Sequence, residues 1–238
     1  MDEIRDRVKG VEKMHTEHEW LREAAKLRAL SLLFVPPTEA VKNELGSLAN
    51  DINAFDSGFG ARLWALAEDI GDVHSIRYHD ALGPTGAVRD CESDYEVNPL
   101  GGKGPLIADV AGFYLAFKYE DRTFDGLGFD HIANECGFLS WLSFRVAFAQ
   151  HESDAEAASV CSDAMEKFLR DHVSKWARTF FTRVRDNSGD SWFVRAVDLC
   201  EESLSALTKL DPAAPDLRKR SLPQADEGEI ECALPADA

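Results

Sequence analysis

Apolar positions along the chain recur three or four residues apart, the period of a helix with one buried stripe. Between Glu12 and Phe34 they fall at Met14, Ala24, Leu27, Leu30, Leu33 and Phe34, with a more polar stretch before Trp20 that projects from the body. Pro36-Pro37 ends that helix, because proline lacks an N–H and disfavours helical backbone in the residue before it. Thr38 then caps a helix through Val41, Leu45, Leu48 and Ile52. A further helix is predicted over Ala61 to Ile70, with Leu63, Trp64, Leu66 and Ala67 turned inward, and a short one, capped by Asp72, through Ile76 and Tyr78.

The pattern stops between Gly83 and Pro105, where Gly83, Pro84, Gly86, Pro99, Gly101, Gly102 and Gly104 leave an irregular loop. Loops of that length inside a packed domain usually carry function. Pro105 opens the next helix, Leu106 to Tyr119, in the turn where its missing N–H costs nothing. Asp130 to Gln150 is the next periodic stretch, and Ser153-x-x-Glu156 reads as a capping box for a long helix reaching Arg185. Asn187-Ser188-Gly189 breaks it, and Asp190 caps a last helix from Trp192 to Leu210. The residues from Asp211 to Ala238 are rich in Pro, Ala and acid, and read as a disordered tail. With no βαβ alternation, internal repeat or sustained heptad, the fold class is all-α: a globular multi-helix bundle in one domain over residues 1–210.

Charge narrows the partners. The 238 residues carry a net charge of −17, which leaves no surplus of Lys and Arg to displace counterions from a nucleic acid and favours neutral or cationic partners. No apolar run approaches the roughly 20 residues of a membrane span, so no stable membrane association is expected. The start, Met1-Asp2-Glu3-Ile4-Arg5-Asp6, is too charged for a secretory signal, so the chain is expected in the cytoplasm. Cys91, Cys136, Cys161, Cys200 and Cys232 are widely spaced and read as reduced thiols.

Several constellations could carry chemistry. His15-x-x-His18, beside Glu17 and Glu19, shares a helix face but offers too few ligands for a metal. Asp130 sits where an N-cap belongs, and His131 and Glu135, four apart, would stack as a hydrogen-bonded pair stabilising the imidazolium, or simply hold the helix start. Glu92-Ser93-Asp94-Tyr95-Glu96 puts three carboxylates, a hydroxyl and a phenol into the long loop, suited to a cation, a backbone or a basic peptide. Phe168, His172 and Trp176 share a face of the long helix and read most simply as core. Gly101-Gly102-Lys103-Gly104 lacks the spacing, the Ser or Thr and the preceding strand of a phosphate loop. No nucleophile elbow is present, and no catalytic residue, resident metal or cofactor is assigned.

Three of these segments, in this order, resemble the cytoplasmic maturation chaperones of the TorD, DmsD and NarJ type. Gly83-Pro84-Thr85-Gly86 followed by Glu92-Ser93-Asp94-Tyr95-Glu96 is similar to the family's loop with its Ser-x-Tyr core. Phe129-Asp130-His131 with Glu135 and Phe138 is similar to its Asp-His signature, and Phe168 to His172 with Trp176 to its later His/Trp helix. Phe129 stands where many members carry proline, and Cys136-Gly137 where a Leu or aromatic pair is commoner. The fuller acidic string resembles the branch serving type II enzymes of the dimethyl-sulfoxide-reductase family.

The resemblance implies a non-enzymatic, client-specific chaperone that binds the apo catalytic subunit of a molybdenum oxidoreductase and its N-terminal signal peptide, often a twin-arginine one, until the cofactor is inserted. Glu92, Ser93, Asp94, Tyr95, Asp130, His131, Glu135, Phe138, His172 and Trp176 are then the expected client-binding residues, Glu92 and Asp130 meeting the cationic head and Tyr95 and Phe138 the apolar part. The chain would act as a monomer or a domain-swapped dimer. A small metal-dependent hydrolase using His131, Glu135 and His172, and a plain helical adaptor, are the alternatives.

Overall fold

Side-chain caps fix where most helices begin. In the computed structural model, which describes residues 16–71, 74–83, 85–95, 102–121 and 124–208, Thr16 starts α1 (Glu17–Leu32) with a reciprocal capping box, its hydroxyl accepting from the Glu19 N–H while Glu19 accepts from the Thr16 N–H. Thr38 and Asp56 cap α2 (Glu39–Asn53) and α3 (Ser57–Glu68) in the same way with one bond each. α4 (His74–Ala81) leads into the irregular segment, and α5 (Gly104–Phe117) leaves it with Pro105 in its first turn. α6 (Ile132–His151), α7 (Ala155–Phe168), α8 (Ser174–Asn187) and α9 (Ser191–Leu207) complete the order. Only two isolated bridges and no strand occur among the described residues, so the chain is all-α.

α6 is the axis of the bundle. It buries Leu139, Leu142, Val146 and Ala149 against α1 on one side and α7 on another, and the Ser140 hydroxyl donates to the Ala24 carbonyl at 2.8 Å. α2 pairs with α3 and α8 with α9, and the Trp192 indole joins the two pairs by donating to the Leu66 carbonyl at 2.9 Å. Most of the buried apolar residues, from Leu27 on α1 to Leu204 on α9, form one continuous core.

Several boundaries differ from the sequence expectation: α3 runs from Ser57 to Glu68 instead of Ala61 to Ile70, with Trp64 43% exposed instead of turned inward, and α5 stops at Phe117. α7 begins after Asp154, whose carboxylate accepts from the Ala157 N–H, while Ser153 takes a left-handed backbone (φ 58°) instead of capping. The long helix to Arg185 runs on to Asn187 but contains a π-turn, Leu169–Val173, between α7 and α8. α6 begins after His131, not Asp130. His15, Asp72, Glu96, the Leu210 end of the last helix, Cys232 and the tail 211–238 lie outside the described residues. The four cysteines inside them are free thiols.

Candidate functional site

A tight turn after α4 sets the path of the loop. Val88 N–H donates to the Ala81 carbonyl and Gly83 N–H to the Val88 carbonyl, and Gly83 adopts φ 88°. Gly86 passes so close beneath Leu82 that a Cβ would lie 2.3 Å from the Leu82 carbonyl oxygen, which only glycine permits. The chain then runs antiparallel to the entry of α6. Glu92 N–H donates to the Asp130 carbonyl at 2.8 Å and Ile132 N–H to the Asp90 carbonyl at 3.0 Å, around the Cys91–His131 bridge.

This clasp reassigns the caps. The Asp130 carboxylate accepts from the Ser93 N–H at 2.8 Å and so caps the 3-10 turn Glu92–Asp94 instead of α6. His131 caps α6, its Nδ1 accepting from the Ala133 N–H at 3.1 Å. With Nδ1 an acceptor, the ring proton sits on Nε2, which donates to Asp90 Oδ2 at 3.1 Å. The predicted His131–Glu135 pair therefore does not form. Glu135 points the other way, its Oε2 accepting from the Trp176 indole N–H at 3.0 Å.

His172 closes the network from the π-turn. Its Nδ1–H donates to Glu92 Oε2 at 3.0 Å, while Nε2 lies 3.4 Å from Asp109 Oδ2 on α5. The imidazole is packed against the rings of Phe168 and Phe113, with centroids 4.8 and 5.6 Å away. A π-turn shifts the following residues relative to a regular helix, and here it brings His172 and Trp176 to two different glutamates. Tyr95 packs against Trp176 at 5.2 Å, takes the Arg183 guanidinium over its ring at 4.6 Å, and donates its hydroxyl to the Arg89 carbonyl. Phe138 lies under Tyr114 and Phe168, both rings 4.8 Å away.

Nine of the ten expected site residues are buried: Glu92, Ser93, Tyr95, Asp130, His131, Glu135, Phe138, His172 and Trp176. Asp94 is partly exposed and pairs with Lys103 at 2.7 Å. Segments some forty to eighty residues apart in sequence thus meet in one cluster whose side chains are closed to solvent apart from Asp94. Burial, reinforced by the nearby Glu92, pushes the Glu135 carboxyl well above the usual range, against a smaller opposing pull from the Trp176 hydrogen bond. Its Oε1 is buried with no hydrogen-bond partner among the described residues. Burial, then the negative charge of Asp130 and Asp90, likewise raises the Cys91 thiol, which leaves it a poor nucleophile.

Chemically, this arrangement holds two chain segments together; it does not present reactive groups to a cleft. His131, Glu135 and His172 each serve a different partner, and no group of three or more His, Cys, Asp or Glu residues among those described could hold a metal ion. Three members of the network escaped the sequence reading. Asp90 lies two residues before Glu92 in the same extended run, and Asp109 is the only charge in the apolar string of α5, a signal visible in the sequence. Arg183, on α8, carried none.

No helix among the described residues is long and apolar enough to cross a membrane. Comparison with curated proteins and with solved structures returned no match. Residues 78–182 match the family model described as nitrate reductase delta subunit. That span runs from α4 through most of α8, so it includes the loop, the α6 entry and the π-turn, and leaves α1 to α3 and α9 outside. The three motif segments converge inside the matched span, so the likeness to that family, which covers less than half of the chain, falls on the part that holds this network.

Proposed function

We propose that the protein is a cytoplasmic, client-specific chaperone that binds the apo catalytic subunit of a molybdenum oxidoreductase, together with its N-terminal twin-arginine signal, and holds it open for cofactor insertion before export. Its client belongs to the type II dimethyl-sulfoxide-reductase group. The observation that carries this reading is the convergence of the Glu92–Tyr95 turn, the Asp130–Phe138 entry and the His172–Trp176 turn within the span that matches the family.

In this reading the buried residues act from beneath the binding surface. Asp130 and His131 fix the turn, Glu92 and Glu135 anchor it to His172 and Trp176, Tyr95 and Phe138 fill the space between them, and Ser93 presents its backbone to Asp130. Asp94 stands at the rim. The net charge of −17 steers a cationic signal head toward the chaperone.

Tagged full-length chain, purified from its own cell, is expected to bring down a molybdoenzyme catalytic subunit identified by mass spectrometry. Asp130→Asn with His131→Gln is expected to reduce that yield while circular dichroism shows the helices intact. An eluate from the wild type that never contains such a subunit overturns the reading. An unchanged yield from the folded double variant overturns the site.

A further inference from the structure

The cysteines sit far apart in the sequence, yet the fold brings two of them together. Cys136, at the second turn of α6, and Cys200, midway along α9, are fully buried free thiols in the common core. The Cys200 side chain is hydrogen-bonded to that of Cys136. Cys91 and Cys161 have other neighbours: Cys91 Sγ lies 3.8 Å from Asp90 Oδ1, and Cys161 faces Arg145.

A disulfide needs about 2.05 Å between its sulfurs and Cβ atoms about 3.5–4.5 Å apart, a geometry that thiols already in contact can approach and distant ones cannot. α9 packs chiefly on α8, with smaller contacts to α3 and α1, so a bond from Cys200 to Cys136 would tie it directly to the axis of the bundle. Cys136 follows Glu135, which accepts from the Trp176 indole, and the same bond would pin that entry of α6.

We propose that Cys136 and Cys200 are a redox pair, closed by hydrogen peroxide into a staple between α6 and α9 and reopened by a thiol reductant that itself becomes a disulfide. In the closed fold both sulfurs are shut from solvent, and burial, then the contact with Cys136, raises the Cys200 thiol well above its usual range. The first step therefore waits for a local opening of α9. The freed Cys200 sulfur attacks one peroxide oxygen, the O–O bond breaks, the thiol proton leaves with the other oxygen as water, and Cys200 becomes a sulfenic acid. When α9 closes again, the Cys136 sulfur attacks the sulfenic sulfur. The S–O bond breaks, and the hydroxyl leaves with the Cys136 proton as a second water. Two thiols and one peroxide thus give one disulfide and two waters, the peroxide taking up two electrons.

The test treats the full-length chain, reduced and freed of reductant, with hydrogen peroxide, then alkylates it with iodoacetamide and digests it. Mass spectrometry is expected to find the Cys136 and Cys200 peptides joined, two hydrogens lighter than the reduced pair and separated by dithiothreitol. Cys136→Ser should leave Cys200 as a sulfenic acid that dimedone labels, whereas Cys200→Ser should leave Cys136 an unreacted thiol. Amide hydrogens of α9 should exchange more slowly in the oxidised wild type than in the reduced one. The proposal is overturned if both thiols are still alkylated after the peroxide has oxidised a control thiol peptide, or if either goes on to sulfinic acid without pairing. A bond from either to Cys91, Cys161, Cys232 or a second chain overturns it too, as does unchanged exchange in α9. The wild-type peptide map decides the matter even where a serine variant does not fold.

Discussion

Asp90 to Tyr95 and α5 border the same aromatic cluster and invert the usual relation between composition and burial. The first segment carries three carboxylates in five residues, yet Asp90 and Glu92 are buried; the second has one charge in fourteen residues, yet only Val110 and Tyr114 of it are buried. Hydrogen bonding accounts for the first case. Backbone bonds to the α6 entry, the Asp130 cap and the donors from His131 and His172 replace the water that the loop loses. α5 packs Val110, Phe113, Tyr114 and Phe117 on the core, but among the described residues nothing covers its outer side, where Leu115 is 82% exposed. Burial is therefore set by what satisfies a segment, not by how greasy it is.

The sharpest way to break the contrast is from the inside. Trp176→Ala removes a fully buried indole and the donor to Glu135, and is expected to cost about 3–5 kcal/mol, read as a large fall in the denaturation midpoint. A loss under about 1 kcal/mol would mean the network is not a structural clamp. His172→Leu keeps the packing against Phe113 and Phe168 but takes a donor from the buried Glu92, and about 1–3 kcal/mol should be lost.

Glu135→Gln tests the electrostatics of the same interior. Because burial and Glu92 raise the Glu135 carboxyl in the folded protein, the native state keeps a proton that the unfolded chain has already released. Stability from this group is thus intact at low pH and declines as pH rises above the ordinary glutamate range toward the raised folded value. Urea titrations at about pH 5 and about pH 8 should show the Gln variant gaining on the wild type at the higher pH. A difference between the two proteins that does not change with pH would show Glu135 ionised in the fold.

Much of this was legible in the sequence. The 3.6-residue period marked every helix that the structure describes, though not its exact ends, the π-turn or the outward Trp64, and Thr38, Pro105 and Asp190 act at the starts where their chemistry belongs. Caps formed by long-range contacts were not legible. Asp130 has the right residue type and position for an N-cap, but the Ser93 N–H, 37 residues away, outcompetes the helix for its carboxylate, and no local rule encodes that. The π-turn is silent for the same reason, since it follows from where His172 and Trp176 must point. Gly137, a departure from the family pattern, has a local explanation only in three dimensions: a Cβ there would lie 2.3 Å from the Tyr119 hydroxyl and 2.6 Å from the Phe124 ring. Convergence of the three motifs followed from their resemblance to a family; their burial did not.

The smallest expected effect is the most informative about the outside. Leu115 is exposed at the end of α5, so its side chain has little water-free contact to lose, and serine differs from leucine in helix propensity by only a few tenths of a kcal/mol. Leu115→Ser should therefore leave folding stability within about 0.5 kcal/mol of the wild type, the range of an ordinary surface change. The same substitution removes the most exposed of the large apolar side chains among the described residues, so any gain in solubility comes without a stability cost. A destabilisation above about 1 kcal/mol would mean that Leu115 is covered in solution by some part of this chain, and α5 would then belong with the interior clamp instead of opposite it.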